Sequence, residues 1–241
     1  MKKINIFIAM LGILGVTTQV QAKVGYGISQ QETDPHLIIG EVNGEPALGF
    51  TLPIVKGKLL SASRLKGLAT LDKNGIYHAY HSKGDGTKFG IENQYIDIGQ
   101  VPNTEVYFGE WAQKTPDKSD VTHTVFYAGE NVTTNLPTGG TASYTVKGLS
   151  QYSGKNLLSG KLVANFDTKK LDGSLSNGSL NIGIDANIND NAGFSGKATA
   201  NGSINGVTDG KFFGDSASSL AGYAKFDSDR NKDTAFGGAK E

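Results

Sequence analysis

Four histidines carry the least common chemistry of this 241-residue chain. Imidazole binds metals and exchanges protons near neutral pH, so its placement is informative. Three of the four, His36, His78 and His81, fall in the N-terminal half, and His123 follows shortly after. His36 comes after Asp34-Pro35 and before the apolar Leu37-Ile38-Ile39, a position that could set an imidazole at the lip of an apolar slot. His78 and His81 lie in Gly75-Ile76-Tyr77-His78-Ala79-Tyr80-His81-Ser82. If this run is a strand, His78 shares a face with Tyr80, and His81 shares the other with Tyr77 and Ala79. Only one of the two then points into a given pocket. An ordinary surface or strand-end position is the commoner role for each such histidine.

The elements that must position these residues differ in texture along the chain. From about Ser119 onward, strand-length alternating segments follow one another between Gly, Asn, Asp and Ser turns. In Leu180 to Ile188 every second residue is apolar, and the same period of two sets Leu162, Ala164 and Phe166 against Lys161, Val163, Asn165 and Asp167. Ala142, Tyr144 and Val146 alternate with Ser143, Thr145 and Lys147, while Phe194, Gly196, Ala198, Ala200, Gly202 and Ile204 repeat the pattern with small residues, as a tapering barrel interior would. About eight such segments between Thr122 and Gly237 predict a closed antiparallel barrel, with His123 opening it and a sandwich as the alternative. The stretch 23–118 is less regular. Candidate strands are Leu37–Glu41, Leu68–Leu71, Gly75–Ser82 and Tyr95–Ile98, with turn signals at Asn43-Gly44, Lys73-Asn74-Gly75 and Lys83-Gly84-Asp85-Gly86. Leu59 to Leu68 has the spacing of a short helix. The fold expected is therefore all-β: an N-terminal handle domain over 23–118, a boundary in the polar Lys114 to Asp120, and an eight-stranded barrel over 119–241.

Composition removes several function classes. With 23 basic and 23 acidic side chains, the chain has no basic stripe for nucleic acid. Without cysteine there is no disulfide framework and no thiolate metal site. Residues 1–22 read as a signal peptide: Lys2 and Lys3, an apolar run from Ile6 to Val16, and the small-x-small Val20-Gln21-Ala22. Cleavage before Lys23 would remove both methionines, and the absence of cysteine at the new N-terminus excludes lipidation, so an exported, soluble monomer is expected. There is no G-x-S-x-G, H-E-x-x-H, P-loop or G-x-G-x-x-G opening a helix, and the acidic residues stand mostly at turns, so no enzyme is expected.

The barrel half carries many small motifs in order. Val125-Phe126-Tyr127-Ala128-Gly129, Asn135-Leu136-Pro137-Thr138-Gly139-Gly140, Leu158-Ser159-Gly160, Ala164-Asn165-Phe166, Lys170-Leu171-Asp172-Gly173, Gly193-Phe194-Ser195-Gly196-Lys197-Ala198, Gly210-Lys211-Phe212-Phe213-Gly214, Leu220-Ala221-Gly222 and Ala235-Phe236-Gly237-Gly238 together resemble the C-terminal barrel of transferrin-binding protein B and the Slam-dependent surface proteins. A Cys-free signal peptide, a short N-terminal domain and one barrel are similar in arrangement to the hemophilins. That resemblance implies a secreted haem-binding protein, a hemophore, released through a Slam-type outer-membrane translocon. It also implies delivery of haem to a TonB-dependent receptor, with the ligand in the N-terminal domain, the iron on histidine and the barrel tied to export.

Haem iron takes His, Met, Cys or Tyr from proteins, and residues 23–241 offer only His and Tyr. The metal candidates are His36, His78 and His81, with His36 paired with one of the other two. Tyr77 and Tyr80 are the candidate cofactor-binding aromatics, with Phe50, Phe89 and Tyr95 as further flat cover. Lys56, Lys58, Arg64 and Lys66 could meet the propionates. A module for a host iron protein or another apolar ligand, and a surface colonisation adhesin, are the alternatives.

Overall fold

A computed structural model describes residues 23–50, 57–81, 94–113 and 121–241, apart from the side chains of Phe50, Tyr80 and His81. Residues 1–22, read as a signal peptide, Lys56, Phe89, the turn signal at Lys83 to Gly86 and the expected boundary at Lys114 to Asp120 lie outside the described residues.

Among the described residues seventeen strands make three sheets. The first nine are β1 (Gly25–Ile28), β2 (Leu37–Val42), β3 (Glu45–Phe50), β4 (Leu60–Ser61), β5 (Thr70–Leu71), β6 (Ile76–His81), β7 (Gln94–Gln100), β8 (Val106–Gln113) and β9 (Thr124–Gly129). The α-helix of the described residues, α1 (Ala62–Leu68), falls in the Leu59–Leu68 stretch and buries Ala62 and Leu65. The other eight strands are β10 (Thr141–Leu149), β11 (Leu158–Asn165), β12 (Lys170–Ser176), β13 (Asn181–Ile188), β14 (Gly193–Ala200), β15 (Ile204–Phe213), β16 (Ser219–Lys225) and β17 (Thr234–Lys240).

Strands β10 to β17 form the closed antiparallel barrel, β17 pairing back onto β10 with Val146 opposite Gly238. Closure excludes the sandwich and leaves the barrel no free edge. Its strands alternate as expected: in β13, Ile182, Ile184, Ala186 and Ile188 point inward while Asn181, Asp185 and Asn187 face water. The alternation read through Gly202 and Ile204 stops earlier, because Asn201 and Gly202 adopt φ of 51° and 71° and turn the chain after Ala200. Inside, Phe194, Phe212, Phe226 and Phe236 are fully buried, while Phe213, the next residue of β15, is buried against the handle strands β1 and β9. Gly210 makes room for the inner rings: a Cβ there would come within 2.1 Å of the Phe194 ring.

The handle consists of a six-stranded sheet in the order β1-β9-β8-β7-β6-β5 and a three-stranded sheet in the order β2-β3-β4. The β2–β3 hairpin turns at Asn43-Gly44, with φ of 55° and 84°. Strand β9, read with the barrel from its sequence, belongs to the handle, between β1 and β8. Its six residues are all buried, as are seven of the eight in β8. The reason is that the six-stranded sheet is covered on both faces. Ile96, Ile98, Tyr107, Trp111 and Phe126 pack with Leu37, Leu48 and Leu65 of the small sheet and helix. Ile76, Phe108, Val125 and Tyr127 join the core of the barrel.

Candidate functional site

Strand β6 divides the sequence-predicted residues between two faces. Tyr77 and Ala79 belong to the cluster under the small sheet. His78 is on the other face, its ring stacked on that of Tyr152 from the loop after β10, with centroids 5.4 Å apart and 5° between planes. His78 Nε2 lies 3.2 Å from Asp72 Oδ2, and Nδ1 contacts Asp97 Oδ1. Both ring nitrogens thus face carboxylates, and a metal at either would displace one of these contacts. By alternation, position 81 shares its face with Tyr77, and position 80 shares its face with His78. In register His81 opposes Gln94, and Tyr80 opposes Tyr95.

Asp72 anchors this corner. Burial works to raise its pKa, but hydrogen bonds from the Tyr152 hydroxyl (2.6 Å), Ile76 N–H (2.9 Å), His78 and Asn74 N–H (2.8 Å) outweigh it and bring it down to about 2. Asn74 Nδ2 also donates to the Tyr152 hydroxyl (2.5 Å) and to Gly154 O (3.0 Å). His78 therefore belongs to the seam between handle and barrel.

His36 sits elsewhere, at the end of a compact turn. Thr33 Oγ1 donates to Pro35 O (2.9 Å), and the Asp34–Pro35 bond is cis. His36 Nδ1 lies 2.9 Å from Thr33 O. A carbonyl only accepts, so Nδ1 carries a proton and donates it to Thr33 O. A histidine that donates one ring N–H to a backbone carbonyl is oriented as metal-ligating histidines generally are. The next residue, Leu37, is fully buried in the handle cluster and pairs with Phe50.

The described donor set suits haem. Imidazole is a usual axial ligand, and the handle cluster beside His36 is apolar. Trp111, fully buried, donates from Nε1 to Gln94 Oε1 (3.0 Å), holding together the β7 and β8 ends beside position 81. Sequence reasoning passed over Trp111, although it is the only tryptophan of the chain. Of the candidate propionate partners, Lys58 and Arg64 are exposed. Lys66 is committed within the handle: it lies 3.1 Å from Gln100 Oε1, 3.8 Å from Glu105, and over the rings of Tyr107 and Tyr77 at 5.0 and 5.8 Å.

His123, placed at the start of the barrel by sequence, immediately precedes β9 at the same seam as His78. Its Nε2 is 2.8 Å from Glu110 Oε2, and both side chains are buried. Glu110 also accepts from Gln151 N–H (2.7 Å) and Tyr152 N–H (2.6 Å). The described residues contain no cluster of three His, Cys, Asp or Glu able to hold a bare metal ion.

Known proteins match this architecture in both lobes. Residues 12–124 match the model of the HphA N-terminal heme-binding domain, and residues 134–240 match that of the HphA C-terminal domain. The chain belongs to the HphA family. Haem is accordingly the ligand of its N-terminal lobe, and the family is one of binding proteins. An uncharacterized protein of Haemophilus influenzae is 33% identical over 121 residues, which are 46% of this chain and 42% of that protein. The chain thus matches less than half the length of that relative. Among solved structures, the haemoglobin receptor HpuA of Kingella denitrificans in its apo form shares the HphA-family fold. Its TM-score is 0.60 at 18% identity, with 93% of this chain and 88% of that one covered. Transferrin-binding protein B of Haemophilus parasuis gives a TM-score of 0.50 at 20% identity, covering 78% of this chain and 39% of that one.

Proposed function

We propose that this HphA-family chain is a secreted haem carrier in which His36 is one iron ligand and His81 the second. The observation that carries the reading is the bond from His36 Nδ1–H to Thr33 O at the edge of the apolar handle cluster, which would orient the ring as metal-ligating histidines generally are. His81 is preferred to His78 because the latter is held between Asp72 and Asp97. Haem itself would supply the iron and its redox chemistry, while the protein supplies the imidazoles and an apolar slot that excludes water. Tyr77, beside that cluster, would cover part of the porphyrin, and Tyr80 falls by alternation on the other face.

Export through a Slam-type translocon and delivery to a TonB-dependent outer-membrane receptor complete the proposal, supported by the HphA family models and the barrel. Among the described residues no helix is long and apolar enough to cross a membrane. Hemin titration of the four single His→Ala variants tests the ligands. His36→Ala and His81→Ala should move the Soret band and speed haem loss, whereas His78→Ala and His123→Ala should leave the band in place. An unchanged band in His36→Ala overturns the assignment. Absence of any Soret shift in the unsubstituted protein would favour a module for an iron protein instead.

A further inference from the structure

Arg230, one of only two arginines in the chain, stands in the short 3-10 turn Arg230–Lys232 before β17. Its guanidinium ties together three segments far apart in sequence. Nε and Nη2 donate to Asp233 Oδ2 at 3.1 and 2.8 Å, Nη1 donates to Gln30 Oε1 at 2.8 Å, and Nη2 reaches His123 O at 3.3 Å. Asp233 is fully buried and accepts Phe226 N–H on its other oxygen at 2.7 Å, so the carboxylate that orients Arg230 is itself fixed.

Gln30 is equally committed. It is buried, and its Nε2 donates to His123 O (2.6 Å) and Val121 O (3.1 Å) while its oxygen receives Arg230. Both donors and an acceptor of the amide are satisfied. The preceding residue is pinned too, with Ser29 N–H on Val125 O at 2.9 Å and Val125 N–H on Ser29 Oγ at 3.1 Å. His36 is six residues beyond Gln30, and the last four of that segment are wound in the Thr33 turn. The fixed root of the His36 loop is therefore held by a barrel residue 200 positions away.

From this geometry we infer that Arg230 is a positioning residue for haem: the barrel sets how long the handle retains its ligand by anchoring the root of the loop that presents His36. The inference rests on the reading of His36 as an iron ligand. Arginine suits the task because its planar fork addresses several acceptors at once. A lysine there keeps the charge opposite Asp233 but offers a single ammonium, which cannot meet Asp233, Gln30 and the His123 carbonyl together.

The test measures haem transfer from the loaded full-length protein to excess apomyoglobin. Variants are Arg230→Lys, Gln30→Met, the two combined, Lys170→Ala as a barrel-surface control, and His36→Ala. Arg230→Lys should lose haem about 5- to 10-fold faster with an unchanged Soret position and one-to-one stoichiometry, Gln30→Met should match it, and the pair should be no faster than either alone, as expected of residues in one bond network. Lys170→Ala should match the unsubstituted protein. A normal rate in Arg230→Lys, or additive effects in the pair, overturns the inference while leaving His36 as ligand. An unchanged Soret band in His36→Ala overturns the ligand reading and this inference with it. Thermal unfolding of the apo variants separates anchoring from stability: Arg230→Lys that loses haem no faster than its lowered melting point would explain, as calibrated by a barrel-core variant of equal destabilisation, also overturns it.

Discussion

The handle and the barrel are both built from antiparallel strands, yet they bury different numbers of faces. Barrel strands away from the handle show one face to water, so β13 reads buried and exposed in turn, whereas β16 and β17, packed on the handle, are buried along most of their length. The handle sheet is enclosed by the small sheet on one side and the barrel on the other, so β8 and β9 are buried almost throughout. The barrel therefore has a core of its own, while half the core of the handle is the outside of the barrel. The difference teaches where polar groups are admitted. The interior of the barrel stacks phenylalanines, whereas the seam between lobes holds Asp72, His78, Glu110, His123, Arg230 and Asp233 in hydrogen-bonded sets.

Removing a ring from the barrel core should have the largest effect. The Phe212 ring lies 5.5 to 5.8 Å from those of Tyr144, Phe166 and Phe194 and is fully buried. Phe212→Ala should cost about 3–5 kcal/mol by transfer and cavity effects, read as a lowered denaturant midpoint with one cooperative transition. A cost below about 1 kcal/mol would mean that the barrel core is not packed as described.

At the seam, Glu110→Ala leaves His123 and the N–H groups of Gln151 and Tyr152 without their acceptor. Roughly 3 kcal/mol is expected, since each buried polar group loses its partner. Because the damage lies between lobes, protection from hydrogen exchange should fall in β8, β9 and the loop after β10 while persisting in β12 to β14. Loss spread evenly over the barrel would break the comparison.

Acid should separate the lobes in a smaller, graded way. The pKa of Asp72 is depressed in the folded state to about 2, so its contribution is fully present above its ordinary value of 3.8 and disappears as pH falls toward 2. Asp209, inside the barrel-facing core, has the opposite sign. Burial raises its pKa against the Tyr127 hydrogen bond and Lys211, so what it contributes is present at low pH and lost as pH rises through the ordinary carboxylate range. Between pH 4 and 2 the Tyr152 environment, followed by fluorescence or NMR, should change before the barrel unfolds, and Asp72→Asn should flatten that change. Simultaneous loss of both lobes in Asp72→Asn would contradict it.

The smallest effect is expected on the outer surface of the barrel. Lys170 faces Asp185 at 3.5 Å across β12 and β13, both exposed. Lys170→Ala should alter stability by less than about 0.5 kcal/mol, as solvent-screened pairs usually do. A larger loss would show that the wet face of the barrel also bears structural weight.

The contrast between lobes also explains what could be read in advance. Alternation depends on one dry and one wet face, so β10 to β14 were legible from their side chains alone. Local chemistry likewise announced the Asn43-Gly44 hairpin and the helix near Leu65, because turns and short helices depend on neighbours in sequence. The absence of Cys throughout, with Met confined to residues 1–22, already limited the iron ligands of residues 23–241 to His and Tyr. Strands β8 and β9 carried no period to follow, since both their faces are dry. Which histidine joins the seam was equally hidden: the fate of His78 depends on Asp97 and Tyr152, and that of His123 on Glu110, residues brought together only by sheet pairing and lobe docking. Residue types and short-range spacing thus determined the barrel, its turns and the candidate ligands. Tertiary structure decided which imidazoles are held by carboxylates, because that outcome depends on contacts between residues distant in the chain, such as His78 with Asp97 and His123 with Glu110.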